Sequence, residues 1–386
     1  MKILFASDSF KGSLTSEEIG ALLTQAVSEI FPHAETHALC VADGGEGTME
    51  AVVQALGGTW KTVPVRGPLG NPVQAHYGLL PGHKAIIEMA AASGLPLVPA
   101  NQRNAAKTSS IGTGMLIRDA LDAGIRDITI AIGGSATNDG GMGAMQALGV
   151  SFLNKNGQEV WGCGENLAFV DHIDISGLHP AAAQTRFTVM CDVTNPLLGA
   201  HGATYTFGRQ KGADDAMLAQ LEQGMTQYAA AVQTALGCDN AALPGAGAAG
   251  GLGFALMTFL HAQAQPGIEA VLDLLDFDRA LDGVDLVITG EGRMDWQSAF
   301  GKVPSGVGKR CKKAGVPAVA IVGGLLEGYE AIYDCGIQSV VTTINGAMSI
   351  EDAMENSRAL YLDAARRLLR MVRCGMSIHG TETSSV

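Results

Sequence analysis

Three glycine-rich loops, each preceded by a short apolar run, carry acidic side chains that could bind a metal ion or activate a hydroxyl group. They are Asp43-Gly44-Gly45-Glu46-Gly47, Gly133 to Gly141, and Gly290-Glu291-Gly292-Arg293-Met294-Asp295. Glycine lets backbone N–H groups approach an anion, and carboxylates hold a divalent cation. The repetition of this pattern predicts strand ends that converge on a site for phosphate and a divalent cation.

Asp43 and Glu46 are separated by two glycines. Two carboxylates so near in sequence repel each other unless a cation or a substrate proton lies between them. We therefore predict a ligand-binding role for this pair. Taken singly, Asp8, Asp43 and Asp139 have a structural alternative, because an Asp that follows a strand often caps the next helix through its side chain.

Lys11 stands three residues after Asp8 in a strand-to-helix loop, where it could contact a phosphate or a carboxylate group. A solvated surface charge is the alternative for this lysine. Asp192 ends the apolar run Phe187 to Cys191 and could be a general base or a metal ligand. It could equally be an Asx-turn residue that only ends the strand.

The segment from Glu291 to Asp295 combines two carboxylates with Arg293. The arginine could neutralise a transferred phosphoryl group while the carboxylates hold Mg²⁺. A structural pair between the arginine and a carboxylate is the alternative.

The composition excludes several classes of protein. The chain has 386 residues, 47% hydrophobic and 16% charged, which predicts about two or three globular domains. A net charge of -13 argues against nucleic acid or an anionic membrane as the main partner. Seven cysteines without a C-x-x-C pair, and an N-terminus that reaches Asp8 too soon for a secretory signal, predict a cytoplasmic protein with reduced thiols.

Familiar motifs are missing from the sequence. The nine histidines form no metal-ligand array, and neither a Walker A loop nor the protein-kinase motif set occurs. The glycine-rich segment Gly245 to Gly253 matches the dinucleotide signature in letters only, because no strand precedes it and no acid follows about twenty residues on. If the protein is a kinase, it is therefore predicted to be neither a P-loop kinase nor a member of the protein-kinase family.

The sequence predicts alternating strands and helices as the elements that position these residues. The first strand leads into a helix whose start has capping-box spacing at Thr15 and Glu18, and Leu39 to Ala42 is predicted as the second strand. Later strands are predicted near 285–289, 317–322 and 338–343. A long amphipathic helix is predicted from Ser349 to Val372, with Ser349 as its N-cap.

We therefore predict an α/β protein of two α/β domains with a cleft between them. The first is a discontinuous, Rossmann-like domain with a mostly parallel sheet, formed by residues 1–62 and 284–386. The second is an inserted α/β domain formed by residues 63–283.

Several of these motifs carry a resemblance to a known family. The segments are Asp8-Ser9-Phe10-Lys11, Ala42 to Thr48, Gly133 to Gly141, Cys191 to Pro196, Pro244 to Gly253, and Gly290 to Asp295. In order and over nearly the whole chain, they resemble the bacterial glycerate kinase type-1 family, which includes glycerate 2-kinases. The resemblance implies ATP-dependent phosphorylation of D-glycerate, usually at the 2-hydroxyl, with Mg²⁺, in a cleft between two α/β domains. Gly12 and Trp296 depart from the family pattern and leave substrate preference open.

Combining the resemblance with the chemistry of phosphoryl transfer gives hypotheses for individual residues. Asp192 is the hypothesis for the base, with Asp43 as its rival and Lys11 as a further catalytic residue. The candidate substrate-binding residues are Asp8, Lys11, Arg66, Ser135 and Asn195. The candidate nucleotide-binding residues are Gly133, Gly134, Thr137, Asp139, Gly140, Gly247, Gly250 and Gly251. The candidate metal ligands are Asp43, Glu46, Glu291 and Asp295.

Other functions stay open at this point. Phosphorylation of the 3-hydroxyl of glycerate, or of a related hydroxyacid, would use the same groups. A small-acid binding protein without catalysis shares the two-domain form, and a Mg²⁺-dependent dehydratase or epimerase of sugar acids would also use clustered carboxylates. A homodimer is a further hypothesis, which the sequence does not decide.

Overall fold

The computed structural model describes residues 1–45 and 47–379, in which the chain forms two compact α/β units. Unit 1 comprises Met1–Asp43 together with the chain from Val271 onward. Unit 2 comprises Gly44–Ala270. Within the described ranges, no helix is long and apolar enough to cross a membrane.

The strands, in chain order, are β1 (Lys2–Ser7), β2 (Glu35–Ala38), β3 (Thr59–Arg66), β4 (Pro72–Leu80), β5 (Lys84–Glu88), β6 (Asp127–Ala131), β7 (Ser151–Leu153), β8 (His172–Asp174), β9 (Arg186–Met190), β10 (Gln263–Gln265), β11 (Leu286–Met294), β12 (Ala318–Leu325) and β13 (Ile337–Thr342).

The α-helices are α1 (Ser16–Ile30), α2 (Thr48–Ala55), α3 (Ala90–Ser93), α4 (Ile111–Asp122), α5 (Met142–Ala147), α6 (Ala203–Phe207), α7 (Asp215–Leu236), α8 (Leu252–Phe259), α9 (Gly267–Leu274), α10 (Phe277–Ala280), α11 (Val303–Ala314), α12 (Ile350–Glu355) and α13 (Ser357–His379). Short 3-10 helices lie at Leu95–Leu97, Ala100–Gln102, Gly164–Phe169, Pro180–Gln184, Arg209–Lys211, Ala248–Gly251, Trp296–Ala299 and Tyr329–Ile332.

Unit 1 is built on a five-stranded sheet in the order β13-β12-β11-β1-β2, and every pairing between neighbouring strands is parallel. Apolar side chains of β1, β11 and β12 pack with those of α1 and α13 in one buried core. Helix α1 begins as the sequence predicts, because Thr15 accepts a hydrogen bond from the Glu18 N–H and the Glu18 carboxylate accepts one from the Thr15 N–H. Because all the pairings are parallel, the carboxyl ends of the five strands of unit 1 lie along the same edge of the sheet.

Unit 2 contains a six-stranded sheet in the order β10-β9-β6-β5-β4-β3. Strands β5, β6, β9 and β10 are parallel, whereas β4 is antiparallel to both of its neighbours. Strands β7 and β8 form a separate antiparallel pair. A large apolar core joins the sheet to α4, α5, α7 and α8. The carboxyl ends of the parallel strands again lie along one edge, where polar loops follow them.

The predicted fold class is confirmed, since both units are α/β and most strand pairings are parallel. The limits of the compact units differ from the sequence-based division at 62/63 and 283/284. Strand β3 pairs along its full length with β4, so residues 59–62 contribute to the sheet of unit 2. Residues 271–283 belong to unit 1, and they include α10.

Two predicted elements are corrected by the structure. The second strand is Glu35–Ala38, and Leu39 to Ala42 follow it as a loop. Strand β2 is at the edge of the sheet and has a partner on one side only, so mostly polar residues can form it. Val41 and Ala42 are buried, but they lie in the loop after β2 and not in a strand. The long terminal helix is interrupted at Asn356, which ends α12, and Ser349 caps α12 as predicted.

Candidate active site

Unit 1 has a cavity of about 760 Å³ at the carboxyl edge of its sheet. The loops that follow β1, β11, β12 and β13 line it. Its charged lining residues are Asp8, Lys11, Asp43, Glu291, Arg293 and Lys302. The strand order reverses between β1 and β11, because β2 lies on one side of β1 whereas β11, β12 and β13 lie on the other. Ligands of open α/β sheets bind at such a reversal point.

Asp8 lies directly after β1 and is partly buried. One carboxylate oxygen accepts a hydrogen bond from the Ser9 N–H at 2.7 Å. Burial, together with the nearby charge of Asp43, raises the pKa of the Asp8 carboxyl to about 6. The two carboxylates therefore repel each other in this structure, and a cation would relieve that repulsion.

Glu291 lies within β11 with 6% of its surface exposed. Lys302 Nζ lies 3.5 Å from Glu291 Oε2, while Glu291 Oε1 has no hydrogen-bond partner among the described residues. Burial raises the pKa of this carboxyl, and the neighbouring Ser298 and Lys302 act in the opposite direction. A buried carboxylate oxygen without a partner is costly unless a ligand completes its coordination.

Of the predicted metal ligands that the structure describes, two line the cavity and one does not. Asp43 and Glu291 line the cavity of unit 1. Asp295 instead caps a 3-10 helix by accepting a hydrogen bond from the Gln297 N–H at 3.0 Å, and Lys302 Nζ lies 3.8 Å from it. Glu46 lies outside the described residues.

The donor set of the cavity fits Mg²⁺. No group of three or more His, Cys, Asp or Glu in metal-holding geometry is found among the residues that the structure describes. Mg²⁺ rarely needs such a cage, because it is usually bound by one or two carboxylates together with waters and substrate phosphates. Asp8, Asp43 and Glu291 supply hard oxygen atoms of the right kind, and the unpartnered Oε1 of Glu291 is available to a cation.

In unit 2, Asp192 follows β9 and is exposed. Its Oδ1 accepts a hydrogen bond from the Gly267 N–H at 2.9 Å. The backbone of Gly44 lies close to both Gly267 and Asp192. If Gly44 carried a Cβ, that atom would lie 2.6 Å from Gly267 Cα and 3.6 Å from Asp192 Oδ2. The carboxylate is thus held at the edge of the sheet by backbone contacts and remains accessible to solvent.

The candidate substrate-binding residues of unit 2 have different surroundings. Arg66 ends β3, is exposed, and places its guanidinium 5.4 Å from the centre of the Trp161 ring. Asn195 uses its side-chain amide to donate a hydrogen bond to the His201 carbonyl at 2.7 Å, which braces a turn. Arg66 is therefore the better placed of the two for an anionic ligand.

Ser135 is buried, and its hydroxyl accepts a hydrogen bond from Lys211 Nζ at 2.8 Å. Lys211 Nζ also donates to the Thr137 carbonyl at 2.6 Å. Only 2% of Lys211 is exposed, and burial lowers its pKa to about 7, whereas the charge of Asp139 acts in the opposite direction. A buried amine therefore supports the loop that begins at Gly133.

Asp139 has a structural position in this loop. It is fully buried, and its carboxylate accepts hydrogen bonds from the N–H and hydroxyl of Ser110 and from the N–H groups of Gly141 and Gly143. Burial raises its pKa, and these donors act in the opposite direction. A carboxylate with four donors is already satisfied without a ligand.

The other candidate nucleotide-binding residues divide by exposure. Gly133 and Gly134 are exposed. The buried members are Thr137, Gly140, Gly247, Gly250 and Gly251. Gly140 donates its N–H to the Gly250 carbonyl at 2.9 Å, so the two glycine-rich loops pack against each other. Only the first two residues of the set present backbone to solvent.

The chain matches a known protein family over nearly its whole length. A family model described as "Glycerate kinase family" matches residues 3–373. The chain belongs to the glycerate kinase family. It is accordingly an enzyme, a kinase, and the resemblance seen in its motifs is confirmed.

Named relatives match the enzyme over nearly its full length. It is 45% identical to a glycerate kinase of Halalkalibacterium halodurans, covering 95% of this chain and 97% of the relative. It is 44% identical to the glycerate 2-kinase of Escherichia coli, covering 97% of this chain and 99% of the relative. A solved structure from Salmonella typhimurium LT2, described provisionally as glycerate kinase 2, matches with a TM-score of 0.88 and 44% identity over 98% of this chain and 99% of that one.

Sequence reasoning missed Glu88, at the end of β5, and Lys211, in the 3-10 helix Arg209–Lys211. Glu88 ends β5, and its carboxylate accepts a hydrogen bond from the Met49 N–H at the start of α2 at 2.9 Å. The apolar run before Glu88 resembles those before the three acidic loops and could have indicated it. Lys211 has no such signal, because its sequence neighbours Arg209 and Gln210 suggest a solvated turn.

Proposed function

We propose that this enzyme uses ATP and Mg²⁺ to phosphorylate D-glycerate at the 2-hydroxyl, giving 2-phospho-D-glycerate and ADP. The observation that carries the proposal is the 44% identity to the E. coli glycerate 2-kinase over 99% of that protein. The charged cavity of unit 1 supports the use of a nucleotide with a divalent cation, because carboxylates and cationic side chains line it together.

The cationic side chains of the cavity have a direct role in this reaction. Phosphoryl transfer requires placement and neutralisation of charge more than covalent chemistry by the protein. Lys11 and Arg293 are exposed and Lys302 is partly exposed, so all three can reach phosphate oxygens. Lys302, held between Glu291 and Asp295, is the most restricted in position of the three.

The carboxylates of the cavity would hold the metal. Asp8, Asp43 and Glu291 are the residues that we assign to Mg²⁺ together with the phosphates of ATP. When bound, Mg²⁺ neutralises charge on the phosphoryl oxygens. Glu46 keeps its predicted role as a ligand, and Asp295 positions Lys302.

Asp192 is our assignment for the general base that accepts the proton of the attacking hydroxyl, with Asp43 as the rival. The exposed carboxylate of Asp192 stands at a strand end, and the Gly267 N–H fixes its orientation. Arg66 is assigned to the carboxylate of glycerate, since its guanidinium can donate two parallel hydrogen bonds. The exposed backbone of Gly133 and Gly134, with the hydroxyl of Ser135 behind it, provides further donors for an anion.

A coupled assay of ADP formation tests the proposal. We expect ADP to form only when ATP, Mg²⁺ and D-glycerate are all present, with L-glycerate and lactate as controls for the arrangement of hydroxyl groups. ADP formation that is independent of glycerate, or confined to another hydroxyacid, would reject the proposed substrate. Loss of water from a sugar acid without ADP formation would instead support the dehydratase alternative.

A further inference from the structure

Part of the unit 1 cavity is lined by exposed apolar side chains that the phosphate and metal chemistry does not use. We call Leu326, Ile344, Met348, Ile350 and Met354 the apolar lip. Ile350 is 76% exposed and Leu326 is 48% exposed. Large apolar side chains grouped around a concave site mark a ligand groove more often than a neutral surface.

Regular elements position the apolar lip. Leu326 follows β12, and Ile344 and Met348 lie in the segment between β13 and α12. Ile350 and Met354 are four residues apart on α12, so they share one side of that helix. Ser349 fixes the start of α12 by accepting a hydrogen bond from the Asp352 N–H at 3.0 Å.

The apolar lip lies beside the charged part of the same cavity. Met354 Cε would be 3.0 Å from a Cβ on Gly12, so this methionine rests against the loop that carries Lys11. The charged part combines three cationic side chains, Lys11, Arg293 and Lys302, with three carboxylates. This combination is complementary to a polyphosphate and its divalent cation, and the apolar lip is complementary to an uncharged ring system attached to it.

We propose that the apolar lip binds the purine base of ATP, while the triphosphate extends toward Lys11, Arg293 and Lys302. The inference rests on the proposed function and adds the location of the nucleotide. A cavity of about 760 Å³ is within the size range of small-ligand sites. Methionine sulfur makes favourable contacts with aromatic rings, and the apolar lip contains two methionines.

This location differs from the nucleotide contacts that the sequence predicts between Gly133 and Gly141 and between Gly247 and Gly251. Most of those residues are buried, and Asp139 has its hydrogen bonds satisfied within the protein. Glycerate is a poor candidate for the apolar lip, because each of its three carbons carries oxygen and it has no apolar surface to bury.

The double variant Ile350→Thr with Met354→Gln tests the proposal. Both positions are exposed, Gln is close to Met in size, and Thr keeps the β-branch of Ile with one carbon fewer, so the fold should be retained. By calorimetry in the presence of Mg²⁺, we expect the Kd for ADP to rise about tenfold, whereas the Kd for inorganic tripolyphosphate changes less than about twofold. In steady-state assays, KM for ATP should rise by a similar factor, with kcat and KM for glycerate unchanged.

Met371→Gln is the matched control, since Met371 is 73% exposed on α13 and does not line the cavity. The single variant Met354→Gln repeats the test with less disturbance of α12. An unchanged ADP affinity in both variants, or a parallel loss of ADP and tripolyphosphate affinity, would overturn the proposed base site. A wild-type protein that forms no ADP from ATP and glycerate would overturn the proposed function itself, which keeps the two failures distinct.

Discussion

Asp192 and Asp8 are both carboxylates that follow strand ends, yet their surroundings give them different properties. Asp192 is exposed, and its Oδ1 accepts a hydrogen bond from the Gly267 N–H. Asp8 is partly buried close to Asp43, so its ionised form is unfavourable until a cation is bound. The first arrangement suits a base, and the second suits a metal ligand.

Replacing Asp192 by Asn should remove the base and preserve the fold. The Asn side-chain oxygen can still accept the hydrogen bond from the Gly267 N–H, so stability should change little. We expect kcat to fall by about 10²- to 10⁴-fold with KM for both substrates nearly unchanged, as measured in the coupled assay.

Asp171→Asn is the control for this experiment, because Asp171 is an exposed carboxylate in unit 2 that lies outside the proposed site. Asp43→Asn should be measured in parallel. Wild-type turnover in Asp192→Asn, combined with a large loss in Asp43→Asn, would transfer the role of base to Asp43.

Asp8→Asn should stabilise the protein at neutral pH when nucleotide and metal are absent. The pKa of Asp8 is about 6, above its ordinary value of 3.8, so the folded protein binds this proton more tightly than the unfolded chain. Stability from this group is therefore lost as the pH rises from about 4 to about 6. At pH 8 we expect a gain of about 1 to 3 kcal/mol in the free energy of unfolding by urea.

The pH dependence separates this cause from a general effect of the substitution. The difference between wild type and Asp8→Asn should shrink as the pH falls through 6, because Asp8 becomes protonated in the folded state. Asp282→Asn, at an exposed position of unit 1, should show no such trend. A gain from Asp8→Asn that is the same at pH 5 and pH 8 would contradict the account.

At the scale of elements, the two glycine-rich loops of unit 2, Gly133 to Gly141 and Gly245 to Gly253, pack against each other. A Cβ on Gly250 would lie 2.0 Å from the Thr137 carbonyl oxygen, and the φ angle of Gly250 is +67°. Glycine is thus required there by close packing of backbone as well as by conformation. These loops hold Asp139 and Ser135 in place, and only the exposed backbone at Gly133 and Gly134 is free to meet an anion.

Gly250→Ala should therefore destabilise unit 2 strongly. The matched variant is Gly237→Ala, which has a similar φ angle of +69° but no atoms within 4 Å of the new Cβ. We expect a cost of about 1 kcal/mol for Gly237→Ala, from conformation alone, and a clearly larger cost for Gly250→Ala, measured by thermal or urea unfolding. Equal costs would show that the packing of the two loops contributes little.

These loops also show where sequence reasoning reaches its limit. Glycine is required both where backbone meets phosphate and where backbone meets backbone, so composition alone does not separate Gly133 from Gly250. The capping box at Thr15 and Glu18 was predictable, because all of its partners lie within one turn. The position of β2 was not, because an edge strand needs little apolar pattern.

At the scale of the whole molecule, the sequence predicts the α/β class and the pairing of strands from both ends of the chain. Repeated strand-to-helix patterns carry that information, and β1 does pair with β11. The cluster of Asp8, Asp43 and Glu291 also follows from the meeting of strand ends. The support of Ser135 by Lys211 depends on contacts between residues 76 positions apart, which no local pattern encodes.

The central claim is that this enzyme transfers the γ-phosphoryl group of ATP to the 2-hydroxyl of D-glycerate. Proton-coupled phosphorus NMR of the product, with the reaction quenched early, tests it most directly. A phosphate on the 2-oxygen is coupled to the single proton of a methine carbon, so the account predicts a doublet for the new phosphomonoester. A triplet, from coupling to the two protons of a methylene carbon, would place the phosphate on the 3-oxygen and contradict the claim.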